Sequence, residues 1–108
     1  MHELSIRHGD DVRIPDLVFV PTTARFDRDI LIDPPLLCVE ILSPSRRLSV
    51  LFAKCETYHA WGVPYCWVLD PIGKLAWEYH QGAPVRLLSE EDSLGAGEIK
   101  MPISELFR

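Results

Sequence analysis

Two carboxylates, Asp16 and Glu40, stand where carboxylates are costly. Asp16 follows Pro15 and opens the apolar run Leu17-Val18-Phe19-Val20, while Glu40 lies inside Leu36-Leu37-Cys38-Val39-Glu40-Ile41-Leu42, the most apolar stretch of the chain. A buried unpaired charge costs several kcal/mol, so Glu40 must be protonated, paired with Lys54 or Arg13, or bound to a metal. Carboxylates on neighbouring strand ends suit Mg2+ or Mn2+, hard ions that take oxygen ligands, and the backbone carbonyl of Ile41 offers a third oxygen. Lys54 completes the set. On a helical wheel it flanks the stripe Leu48, Leu51, Phe52, Cys55, Tyr58 and His59, so its ammonium reaches a cleft over the sheet. Such a site holds a hydroxide against a phosphodiester, with Lys54 orienting the water or stabilising charge on the phosphate. Asp16, Glu40 and Lys54 are the expected catalytic residues; Asp16, Glu40 and the Ile41 carbonyl are the expected metal ligands.

Other residues carry less. Tyr58 reads as core. Glu98-Ile99-Lys100 sets an acid two residues before a lysine, yet it follows a Gly-rich stretch and lacks an upstream Pro-Asp at strand spacing, so it reads as a decoy. The histidines at 2, 8, 59 and 80 have no zinc spacing, and Ser43 and Ser45 lack a nearby His/Asp pair. Arg46 and Arg47 at the helix start suit phosphate contacts, although such residues are more often simply solvated.

Several elements must position the carboxylates. Residues 4–7 and 12–14, joined by Gly9-Asp10-Asp11, predict a hairpin arm. Residues 15–20 predict a strand buried on both faces, and residues 22–35 a polar loop holding a short extended piece at 30–32. Residues 36–42 predict the central strand. A helix follows, with Ser45 as its N-cap, ending at Trp61 because Gly62 suits the left-handed C′ position and Pro64 blocks continuation. Residues 65–69 predict a second buried strand, Asp70-Pro71-Ile72-Gly73 a turn, and 75–80 a half-exposed return strand. Residues 85–88 extend again, 90–92 form an acidic loop, 95–97 a spacer, and 101–107 a last turn or short helix.

The 108 residues suffice for one core and not two, and 47% hydrophobic with 25% charged residues indicates a globular domain. A net charge of −5 lacks the basic footprint of a DNA-binding domain, without excluding a local basic cleft. No stretch has the length of a membrane helix. The three cysteines, Cys38, Cys55 and Cys66, lack zinc or disulfide spacing and read as buried thiols. A cytoplasmic protein is expected.

Arg13-Ile14-Pro15-Asp16-Leu17-Val18-Phe19-Val20, Val39-Glu40-Ile41-Leu42-Ser43-Pro44-Ser45, the Lys54/Tyr58 pair, Gly62-Val63-Pro64-Tyr65-Cys66-Trp67-Val68-Leu69-Asp70-Pro71 and Ile103-Ser104-Glu105-Leu106-Phe107 resemble the Uma2 family, formerly DUF820. The resemblance covers roughly residues 12–107. It implies an α/β restriction-endonuclease-like fold of the PD-(D/E)XK type, a mixed central sheet with one main helix after the Glu40 strand. It also implies metal carboxylates at Asp16 and Glu40, and Mg2+ or Mn2+ as cofactor. The nuclease lysine expected two residues after the Glu is Leu42 here, and the resemblance implies that the following helix supplies it as Lys54. The implied activity is endonucleolytic hydrolysis of nucleic acid, with DNA as partner; the alternative is a non-catalytic remnant serving oligomerisation or interaction. The family's N-terminal helix and first strand are largely missing. A shortened single domain, residues 1–108, that forms a homo-oligomer is therefore expected.

Overall fold

A computed structural model describes residues 4–107. The chain starts with a hairpin, β1 (Ile6–His8) and β2 (Asp11–Arg13), turned at Gly9. β3 (Leu17–Phe19) carries Asp16 at its head, and β4 (Phe26–Asp27) and β5 (Ile30–Leu31) form a second tight hairpin. β5 also lies parallel to β1, making a small sheet in the order β2-β1-β5-β4. Then follow β6 (Leu37–Ile41) with Glu40, the helix α1 (Leu48–Ala60), β7 (Tyr65–Asp70), β8 (Leu75–His80) and β9 (Arg86–Leu88). The chain closes with the hairpin β10 (Ser93–Ala96) and β11 (Ile99–Pro102) and the short helix α2 (Ile103–Leu106).

The main sheet runs β3-β6-β7-β8-β9. Only β6 and β7 are parallel, because α1 carries the chain back over the sheet between them. This is the expected mixed α/β arrangement, with the one long helix directly after the Glu40 strand. Both sheet faces are covered, which explains why β6 and β7 read as unbroken apolar runs. On one face Cys38, Cys66 and Val68 pack under Leu51, Cys55 and Tyr58 of α1, joined by Ile6 and Leu31 of the small sheet. On the other, Leu37, Val39, Trp67, Leu69 and Ala76 pack under Leu94, Ala96 and Ile103. The three thiols are buried and free, as their spacing implied.

The end of α1 follows its sequence signal. Gly62 has φ +94, its N–H donates to the His59 carbonyl and the Val63 N–H donates to the Tyr58 carbonyl, a Schellman motif. The helix start does not follow its signal. Arg47, not Ser45, is the N-cap residue, because residues 43–46 close a turn of their own with the Arg46 N–H on the Ser43 carbonyl. Two further expectations are corrected. The 15–20 strand is not covered on both faces but forms the sheet edge, with Leu17 38% and Phe19 43% exposed. The 95–97 spacer is instead part of β10 and its turn, because Leu94 and Ala96 alternate inward onto the sheet.

Candidate active site at the ends of β3 and β6

Register brings the two carboxylates together. β3 pairs antiparallel with β6, with Leu17 opposite Val39, so Asp16 arrives beside Glu40 on the face that α1 covers. The Ile41 N–H donates to Asp16 Oδ2 at 2.7 Å, fixing that carboxylate against the end of β6. Glu40 is fully buried beneath α1. Lys54 and Tyr58, one helical turn apart, both point at it: Lys54 Nζ lies 2.9 Å from Glu40 Oε1, and the Tyr58 hydroxyl donates to the same oxygen at 2.6 Å.

The remaining partner comes from the turn before α1. Arg46 Nη2 donates to Glu40 Oε2 at 2.8 Å, and Nη1 donates to Asp16 Oδ2 at 2.9 Å and to the Ile41 carbonyl at 3.3 Å. One planar guanidinium therefore gathers two carboxylates and a carbonyl, the geometry for which arginine is suited. Two anions face two cations, so the cluster is electrically balanced.

The titration behaviour follows from these contacts. Burial pushes the Asp16 carboxyl up, but the Ile41 N–H and the Arg46 guanidinium outweigh it and hold the group below its usual range. Burial and then the bond to Glu40 push the Tyr58 phenol up, so it remains a donor at ordinary pH. Burial likewise raises the Cys38 thiol, which is consistent with an inert core residue.

The Uma2 family profile, described as "putative restriction endonuclease", matches residues 2–99. The chain belongs to the Uma2 family. A search of curated proteins finds no match. Among solved structures, the Uma2 chain is similar to a "putative nuclease belonging to DUF820" from Anabaena variabilis ATCC 29413, with a TM-score of 0.83 at 20% identity. That likeness covers 99% of this chain and 66% of the other, and it is a likeness of fold. The Uma2 chain thus spans just under two thirds of that protein's length.

Against the residues singled out from sequence, the structure brings Asp16, Glu40, the Ile41 carbonyl and Lys54 into one cluster. Sequence reasoning gave Arg46 no such place and offered Arg13 as a partner for Glu40. Arg13 pairs instead with Asp11, at 3.4 Å. A signal for Arg46 existed: a buried Glu at the end of a strand needs counter-charge, and the turn just beyond it carries two arginines. Tyr58 is both core and site, since its ring is buried and its hydroxyl holds Glu40. Glu98 and Lys100 lie exposed on the β10–β11 hairpin, which packs on the opposite sheet face, so the tripeptide is remote from Glu40. No group of three His, Cys, Asp or Glu side chains forms a metal cluster among the described residues.

A second buried carboxylate, Glu78, belongs to that opposite face. It accepts from the Gly95 N–H at 2.7 Å and from Arg86 at 3.3 Å, while Trp67 Nε1 donates to the Gly95 carbonyl at 3.0 Å. These bonds pin the hairpin to the sheet. A hollow of about 260 Å³ beside Arg7, His8, Arg25 and Trp61 also lies away from Glu40, and its arginines are paired with Asp27 and Asp33.

Proposed function

We propose that this Uma2 chain hydrolyses phosphodiester bonds of nucleic acid, DNA in the first instance, with a bound Mg2+ or Mn2+. One observation carries this reading: hard oxygens from Asp16, Glu40 and Ile41 converge on a single cationic group with a lysine alongside. That donor chemistry fits a divalent ion. When bound, the ion lowers the pKa of a water ligand and offsets charge on the phosphate.

The chain's own residues do the rest. The Ile41 N–H and the strand register orient Asp16. Tyr58 and the core around it fix Glu40 in one rotamer, so neither carboxylate has to be ordered when substrate arrives. Lys54 is 23% exposed, at the boundary between Glu40 and solvent, where its charge stabilises a developing phosphorane and holds an attacking water.

The test pairs cleavage with binding. The full chain is expected to cut DNA only with Mg2+ or Mn2+, and Asp16→Asn and Glu40→Gln are expected to lose that activity. Saturating Mn2+ is expected to raise the melting temperature of the native chain and leave Glu40→Gln unmoved. A second reading has one observation in its favour: Arg46 and Lys54 already neutralise both carboxylates, which also suits a non-catalytic module that uses its sheet for oligomerisation. A folded native chain with neither cleavage nor a Mn2+ shift selects that second reading.

A further inference from the structure

We propose that Arg46 is a displaceable counter-ion: its guanidinium sits among the oxygens of Asp16, Glu40 and Ile41 that would hold a divalent cation and must leave for the ion to enter. The inference rests on the metal reading of Asp16 and Glu40 and adds a competitor that this reading does not contain. Arg46 contacts the very oxygens that would ligate the ion, namely Asp16 Oδ2 and the Ile41 carbonyl through Nη1 and Glu40 Oε2 through Nη2. Ligand distances of about 2.0–2.6 Å around Mg2+ or Ca2+-sized ions leave no room for a guanidinium between the same oxygens.

Charge argues the same way. Adding a dication to a cluster of two carboxylates, Arg46 and Lys54 leaves an excess of two positive charges in a partly buried site, and withdrawing Arg46 halves it. Departure is also mechanically simple. Arg46 lies in the turn before α1 rather than within the helix, and its side chain is 29% exposed, so rotation about its own bonds takes the guanidinium into solvent. Glu40 keeps Lys54 and Tyr58, and Asp16 keeps the Ile41 N–H. Released at the rim, the guanidinium presents a fork of donors suited to a phosphate.

The experiment is a Mn2+ titration, followed by electron paramagnetic resonance, of the full native chain and of Arg46→Ala and Arg47→Ala. Arg47 is the exposed neighbour, and its replacement changes net charge equally without emptying the site. Arg46→Ala is expected to bind Mn2+ about tenfold tighter or more than the native chain, with Arg47→Ala close to native. If Arg46→Ala loses its cooperative melting transition in chelator, Arg46→Lys takes its place. A lysine keeps the charge but has no planar fork to hold both carboxylates, so it too is expected to bind the ion more tightly than the native chain. Equal affinities for the native chain and the folded Arg46 variant overturn the exchange and leave the metal reading standing. Equal gains from Arg46→Ala and Arg47→Ala overturn it as well, since the effect is then long-range charge alone. If no protein takes up Mn2+, the exchange and the metal reading fall together.

Discussion

Glu40 has no freedom to be anything but paired, because an ionised carboxylate inside a sheet is tolerated only with counter-charges and hydrogen bonds in place. Lys54, Arg46 and Tyr58 meet that need from three directions, and the same contacts hold the Glu40 carboxylate in place. Lys54 is the one cation of the cluster that also sits on a rigid element. Lys54→Met is expected to keep the fold, since the aliphatic stem is retained and the ammonium is part-exposed, while metal-dependent cleavage drops by two orders of magnitude or more, about 10²–10³-fold. Single-turnover cleavage beside a circular dichroism melt checks both halves. Replacing Lys100, exposed on the far hairpin, is expected to change neither.

At the scale of the element, α1 is the lever that aims Lys54 and Tyr58, and its last turn depends on Gly62. At φ +94 a side chain is strained, and an added Cβ would meet Pro34 Cγ at 3.3 Å. Gly62→Ala is therefore expected to cost about 1–2 kcal/mol, read as a lower urea midpoint with unchanged slope. The same helix end carries His59, whose ring is held against the Tyr79 carbonyl with Nε2 at 3.0 Å. Burial lowers its pKa below 6.5, aided by His80 and opposed by that carbonyl and by Glu56. The folded chain thus binds fewer protons than the unfolded one below pH 6.5, so this contribution to stability is complete above that value and is lost as pH falls through the folded pKa. Melting temperatures of the native chain are expected to decline over that window, and those of His59→Gln to decline less.

For the whole molecule, the sheet ends on β3, an edge strand whose Leu17 and Phe19, opposite Val39 and Leu37, stay half-exposed. Val12 and Ile14, just before it in the chain, are exposed as well. An apolar edge of this kind offers free backbone groups and side chains to another strand. Light scattering at micromolar concentration is expected to detect a dimer or larger species, and Leu17→Lys with Phe19→Lys is expected to return it to monomer. A monomer in the native chain removes the edge as an interface. Among the described residues no helix is long and apolar enough to cross a membrane.

Much of the candidate site was legible in the chain because its signals are local. A carboxylate inside an apolar run, a lysine flanking a helical stripe, and Gly-Val-Pro after that stripe each have their meaning within a few residues. These fixed Asp16, Glu40, Lys54, the central strand and the end of α1, and the linked motifs named the family. Tertiary structure alone decided which cation joins the two carboxylates. Residues 16, 40, 46 and 54 meet through strand register and a crossover helix, and a flexible arginine in a turn has no periodicity to announce its target. Tertiary structure also decided that the Leu17 strand is an edge. An apolar run records how well a segment suits burial, whereas a place inside or at the rim of a sheet depends on which neighbours the fold supplies.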